Sequence, residues 1–306
     1  MKAVGIDLGG TKIEAQVFAE GWSVAARRRI PTPRDYPALV AAVAEQILWA
    51  REEAGMTLPV GISAAGLVNP ETGHAFTANL PATGKPFPAD IAKAVGQPVE
   101  YVNDCRALAL SEAVFGAALG LSPVACVILG TGAGGGVAVE GRLLQGHAMV
   151  GGEFGHFAAP AHLVAAHGLP VIRCGCGRMG CTETYIAGPG LQRLAKSLTG
   201  RDLTPQEIAR QKADDPAIAE VWSVWCDFVA EMVITLAFTF DPAAVVLGGG
   251  LSQIAGVTDD IAAALSRAQL PGFRIPQVLL AEGGDASGAR GAAYAALLSE
   301  GERAHA

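Results

Sequence analysis

Ala3 to Leu8 is an unbroken β-rich apolar run, Gly9-Gly10-Thr11 is turn chemistry, and Lys12 to Phe18 alternates polar and apolar side chains like a half-exposed strand. The pattern predicts a β-hairpin. Leu39, Val43, Ile47 and Leu48 recur at helical spacing between Pro37 and Ala54, which predicts a helix, and the strand-like PVGISAAG (59–66) follows. PVEYVND (98–104) and the helical ALALSEAVFGAALG (107–120) lead into ACVILGTGAGGGVAVEG (125–141), which repeats the opening order of apolar strand, glycine turn and short strand. This alternation is α/β. The repeat predicts two lobes facing one another across a cleft, with a boundary near Gly116 to Pro123. Further on, MVITLAFTF (232–240) is about half the roughly 20 apolar residues that a membrane helix needs and reads as a buried helix. In VVLGGGLS (245–252) a buried strand runs into three glycines before a helical pattern that starts at Ser252.

With 306 residues, 51% hydrophobic and 17% charged, the chain can bury a sizeable core. A formal charge of −7 gives no electrostatic footprint for nucleic acid or anionic lipid, so a small-molecule partner is expected and neither nucleic acid nor membrane is. MKAVGIDLGG reaches a carboxylate and a glycine pair before any signal-peptide core could form, so no export signal is expected. Six cysteines then point to a reducing, cytoplasmic setting, with Cys105, Cys126 and Cys226 as core thiols.

Glycine turns let backbone N–H groups converge on an anion, and two of them suit a polyphosphate. Gly130 to Gly135 also fits the dinucleotide fingerprint, but that fingerprint needs a helix next, whereas GVAVEGRL alternates as a strand does. A plain glycine hairpin and a phosphate-holding turn both stay open. Asp7 and Asp104 each end a predicted strand, where an α/β sheet presents its functional groups. By position Asp104 is either a helix N-cap or a general base.

Cys174, Cys176 and Cys181 sit among Gly175, Gly177 and Gly180, and His156 in GGEFGHF lies upstream as a fourth ligand. Three thiolates and one imidazole make a tetrahedral Cys3His zinc site with no open position, hence a structural metal. A disulfide is disfavoured by the odd number of clustered thiols, and redox chemistry lacks the C-x-x-C spacing.

VGIDLGGTKI, LGTGAGGG, GGEFGH, CGCGRMGCTE and VVLGGGLS, in this order over nearly the whole chain, resemble the ROK family of bacterial sugar kinases and repressors. PTPRD (31–35), NLPATGKP (79–86) and the long spacer from His156 to Arg173 are similar to the N-acetyl-D-glucosamine kinases within it. The resemblance implies an actin-like ATPase (ribonuclease H-like) fold: a small lobe over 1–118 joined by a C-terminal helix at 289–300, and a large lobe over 119–288 holding the zinc knuckle and the nucleotide. It implies ATP with Mg²⁺, phosphoryl transfer to the 6-hydroxyl of N-acetyl-D-glucosamine, and a cytoplasmic homodimer. By the same resemblance Asp7, Gly9, Gly10, Thr11 and Lys12 match the first phosphate element, Thr131 and Gly132 the second, and Gly249 and Gly250 the adenosine element. Asn103 and Asp104 match the sugar-contacting pair, with Asp104 as base, while Asn79, Glu153, His156 and Glu183 match the other sugar contacts. His156 is thereby expected to bind zinc with one ring nitrogen and to aim the other at a sugar hydroxyl.

Two places depart from the family pattern. Asn103-Asp104-Cys105-Arg106 stands where N-D-A-N is common, putting a bulky cation able to pair with a carboxylate or phosphate beside the sugar residues, and Ala64-Ala65-Gly66 lacks the usual proline. Glucose, N-acetylmannosamine or fructose are alternative substrates. A repressor is disfavoured because the chain opens on its first strand, and a non-catalytic sugar-binding protein because Asp7, Lys12 and Asp104 are all present. The tail SEGERAHA carries no packing pattern and is expected to fray.

Overall fold

A computed structural model describes residues 1–284 and 287–305, with side chains to Arg303. The chain divides into two compact units, one of Met1–Leu119, Gly136–Gly151 and Glu282–Ala306, the other of Gly120–Gly135 and Gly152–Ala281. Leu119 and residues 136–151, 282–284 and 287–288, expected in the large lobe, thus group with the first unit.

In the first unit, β1 (Ala3–Leu8), β2 (Lys12–Phe18), β3 (Val24–Pro31), β4 (Val60–Ala64) and β7 (Glu100–Asn103) form one sheet in the order β3-β2-β1-β4-β7. β1, β2 and β3 are antiparallel in sequence; β1, β4 and β7 are parallel. Both faces of β1 are covered, which is why its sequence reads as continuous rather than alternating. Val4, Ile6 and Leu8 pack into the core under α1 (Tyr36–Ala54) and α2 (Phe87–Val95), together with Leu39, Val43, Ile47, Phe87 and Ile91. Ala3 packs against α10 (Ser287–His305). There Gly5 and Gly61 bring the strands so near the helix that a Cβ on either would strike the backbone of Ala289 or Ala292. α10 also packs on α3 (Asp104–Phe115). A small ribbon, β5 (Leu67–Val68) with β6 (Ala75–Phe76), projects after β4.

The first helix covers the predicted span and is capped by Asp35, whose Oδ1 accepts the Ala38 N–H at 3.1 Å, but Leu48 lies outside its buried stripe. β3 escaped prediction because VAARRRIP shows no apolar alternation. Its arginines are matched on β2 and α1: Arg27 and Arg29 flank the buried Glu14 of β2, and Arg28 pairs with Glu45 of α1. The tail continues α10 to His305 with Gly301–Arg303 exposed, and Ala306 lies outside the described residues.

In the second unit, β8 (Val124–Leu129), β11 (Ala244–Gly248) and β12 (Gln277–Leu280) are parallel, with β9 (Ala133–Val139) beside β8. At Gly136 the chain passes into the first unit, where the end of β9 pairs with β10 (Arg142–Leu143). The continuation after the second glycine turn is therefore strand, not the helix that a dinucleotide fingerprint requires. The helices are α4 (Ala161–Ala166), α5 (Glu183–Ile186), α6 (Gly188–Thr199), α7 (Pro205–Gln211), α8 (Pro216–Phe240) and α9 (Val257–Ala268). α8 is long and apolar enough by composition to cross a membrane, but 67% of its most apolar window is buried inside the protein, and it packs on α9 as a core helix. No helix starts at Ser252. Gly250–Gln253 is a single 3-10 turn, and α9 begins after Gly256.

Candidate active site

In the first unit, the β1–β2 hairpin closes with the Gly9 N–H donating to the Lys12 carbonyl at 2.9 Å. Asp7 lies opposite Glu14 on β2 and beside Ser63 on β4, with its carboxylate facing Gly288 at the start of α10. A Cβ on Gly10 would lie 3.3 Å from Asn79 Nδ2, so Asn79 rests on this turn. Thr11 and Lys12 complete the hairpin into β2.

β7 delivers Asn103 and Asp104 to the start of α3, and the structure separates their roles. Asn103 is the N-cap: its Oδ1 accepts the N–H groups of Cys105 at 3.0 Å and Arg106 at 3.4 Å, while its Nδ2 donates to the Gly66 carbonyl at 3.2 Å. The N-cap alternative for Asp104 is thereby corrected, because its neighbour holds that position. Asp104 is the first helical residue, with Oδ1 accepting the Cys105 N–H at 2.9 Å. Burial pushes its carboxyl above the ordinary aspartate range, only partly opposed by hydrogen bonds centred on Cys105. Cys105 itself is half-buried rather than a full core thiol, unlike Cys126 and Cys226.

In the second unit, Gly130-Thr131-Gly132 turns between β8 and β9, with the Gly130 N–H bonded to the Gly132 carbonyl at 3.0 Å. Glu183, the first residue of α5, sends its carboxylate to this turn, where Oε2 accepts the Ala133 N–H at 2.9 Å. A Cβ on Gly132 would stand 2.8 Å from that oxygen, so only glycine leaves the carboxylate its place. Next to the turn opens a cavity of about 700 Å³ whose lining includes Thr131, Gly250, Gln192, Gln206, Arg210 and Gln253. Gly249 stands behind it at φ +85°, with a Cβ barred by the Leu129 carbonyl 2.5 Å away.

His156, Cys174, Cys176 and Cys181 bring one donor atom each within 4.8 Å of one another. The Cys176 and Cys181 sulfurs are 3.6 Å apart, and Cys174 Sγ is 3.7 Å from His156 Nδ1. A tetrahedral zinc with bonds of about 2.3 Å to sulfur spans ligand edges of roughly 3.8 Å, so the donor set fits that ion in chemistry and in spacing. Nδ1 faces the thiols. Nε2 lies 3.6 Å from Glu153 Oε2, the type of carboxylate partner that orients a ligating histidine.

Residues 3–298 match the family described as the ROK family. The chain belongs to that family. It is 39% identical over 296 residues to the N-acetylgalactosamine kinase AgaK of Shewanella sp. (strain ANA-3), covering 94% of each chain. It is 38% identical over 296 residues to the N-acetyl-D-glucosamine kinase of Escherichia coli (strain K12 / DH10B), covering 95% of this chain and 97% of that one. Its structure superposes on a ROK hexokinase from Thermus thermophilus with a TM-score of 0.88 at 34% identity, over 99% of this chain and 100% of the other.

In this ROK chain, each expected residue therefore falls into a local group. Asp7, Gly9, Gly10, Thr11, Lys12 and Asn79 gather at the first turn, and Asn103 and Asp104 at the start of α3. Thr131, Gly132 and Glu183 gather at the second turn, Gly250 in the cavity wall with Gly249 next to it, and Glu153 and His156 beside the thiols. Sequence reasoning missed Gln192, Gln206, Arg210 and Gln253. α6 and α7 carry the first three into the cavity wall, and the capping box of Thr204 and Glu207, with Pro205 opening the helix, was a legible sign that α7 starts there.

Proposed function

We propose that the protein is an ATP-dependent kinase of N-acetylated amino sugars that phosphorylates the 6-hydroxyl of N-acetyl-D-glucosamine, within the two-lobed actin-like ATPase class. The observation that carries this reading is Asp104. Its carboxylate is held at the carboxyl end of a strand, freed from capping by Asn103 and raised in proton affinity by burial. A base so placed can accept the proton of a hydroxyl as it attacks phosphorus. The family membership and the amino-sugar kinases among the relatives support the substrate class, and the net charge of −7 favours a small molecule over nucleic acid.

In this reading the cavity beside Thr131 and Gly250 takes the adenosine, with Gly249 keeping its wall thin. Asp7, Gly9, Gly10, Thr11 and Lys12 serve the phosphates at one turn, and Thr131 and Gly132 at the other. Backbone N–H groups aimed at phosphate oxygens stabilise charge without reorganising. Mg²⁺ bound with ATP supplies neutralisation of the transferring phosphoryl group. Asn79, Asn103, Glu153, His156 and Glu183 hold the sugar. Cys174, Cys176, Cys181 and His156 hold a structural zinc, which sets the direction of the histidine ring and of α5. The working form is a cytoplasmic homodimer.

A second reading, N-acetyl-D-galactosamine as the preferred sugar, is favoured by the Shewanella relative. A coupled assay of ADP release with N-acetylglucosamine, N-acetylgalactosamine, N-acetylmannosamine, glucose and fructose separates them. We expect the highest kcat/KM with N-acetylglucosamine. Absence of turnover with it, or equal kcat/KM with glucose, overturns the proposal.

A further inference from the structure

We propose that Arg106 is a positioning residue for the sugar, a clamp that holds the loop 144–149 against the start of α3. Its side chain is buried, 4% exposed, in the first turn of α3, directly after the Asn103-Asp104-Cys105 stretch. The guanidinium reaches across to three loop carbonyls: Leu144 at 3.3 Å, Gln145 at 3.2 Å and Met149 at 3.5 Å. Loop carbonyls are thus among the partners of this guanidinium.

Three features show that the neighbourhood is built around this side chain. Gly136 on β9 leaves it space, since a Cβ there would stand 2.9 Å from Arg106 Cα and 3.3 Å from Cγ. Met149, whose carbonyl it binds, sits at φ +58°, a left-handed conformation that a non-glycine residue keeps only when its surroundings enforce it. Arg106 and Asn103 together with Leu143, Gln145 and Met149 also line a small cavity of about 30 Å³, enough to admit water. A planar fork of five donors can serve three carbonyls at once, whereas a lysine offers one compact ammonium.

The functional consequence rests on the sugar-kinase reading above. Asn103 and Asp104 precede the clamp in the chain, and Glu153 follows Met149 after only Val150, Gly151 and Gly152. The guanidinium therefore ties the segment bearing the base to the segment that runs into the other proposed sugar contacts. Arg106 touches neither substrate. It sets where those contacts rest before the sugar arrives, and a loop freed from it must be ordered again at the expense of sugar affinity.

The test compares Arg106→Lys and Arg106→Met with the parent protein. Backbone amide exchange of residues 144–151 in the unligated protein is expected to quicken about tenfold or more in both variants, with exchange in α1 and α8 unchanged. With N-acetylglucosamine as substrate, sugar KM is expected to rise about tenfold while ATP KM and the acid limb of the pH profile stay put. Unchanged exchange in the loop, a matching rise in ATP KM, or full rescue by lysine overturns the clamp, as does failure of both variants to fold. A parent protein without amino-sugar kinase activity instead overturns the function reading, and the exchange measurement still decides whether the clamp exists.

Discussion

Glu183 Oε2 accepts the amide of Ala133 at 2.9 Å, while its other carboxylate oxygen lies 3.4 Å from Cys174 Sγ. One side chain thus joins the thiol cluster to the glycine turn assigned to phosphate. Glu183→Ala removes the acceptor of a charge-assisted hydrogen bond and leaves the Ala133 amide free to swing. ADP affinity, measured by calorimetry without sugar, should fall about tenfold, whereas Glu183→Gln, which keeps an acceptor oxygen, should lose less. Equal ADP affinity in Glu183→Ala and the parent would dissociate Glu183 from the turn.

Asp104→Asn should lower kcat by about 10²- to 10⁴-fold with sugar affinity nearly unchanged. The base works only when ionised, and burial raises its carboxyl above the ordinary aspartate range. Activity should therefore be present at high pH and decline, as pH falls, at a point above that range. The asparagine variant should lose this limb from its residual rate. A normal kcat in Asp104→Asn refutes the assignment.

Purified protein should carry one zinc per chain, measured by elemental analysis. Cys181→Ser, which removes a buried thiol of the cluster, should lose the metal and lower Tm, and chelation of the parent should do the same until zinc is restored. Zinc retained at full occupancy by Cys181→Ser would exclude this ligand set.

Glu14 is a carboxylate 1% exposed between two sheet arginines. Burial alone would raise it, but the hydrogen bonds from Gln16 at 2.7 Å and Arg29 at 2.6 Å, with the charges of Arg29 and Arg27, hold it below the usual glutamate range. A lowered folded-state value means that this stabilisation is complete above the ordinary glutamate value and is lost as pH falls through the folded one. Glu14→Gln should cost about 1–3 kcal/mol at neutral pH, nearer the lower figure because both guanidinium groups are half-exposed to solvent. Urea titrations at pH 7 and in acid should show the gap between variant and parent closing as pH drops, and a constant gap would refute the account.

Much of the local design was legible in the residues. The hairpin over 3–18, the helix between Pro37 and Ala54 and the strand after the second glycine turn follow from side-chain period and turn chemistry, which act within a few residues. β3 was not legible, because its outward charges find their partners on β2 and α1. Asn103 and Asp104 were ambiguous for a related reason: either side chain can cap a helix, and the backbone angles at the junction decide which one does.

Amino-acid order by itself determined where backbone could pass without a Cβ, which four donors could share a metal and which carboxylates end strands, because these depend on residue type and short spacing. Only the folded chain decided that Glu183 serves an amide 50 positions away, that Arg106 grips a loop 38 to 43 positions on, and that α6 and α7 wall a cavity. Such pairings come from the packing of whole elements, where a buried polar atom must find whichever partner the neighbouring backbone presents.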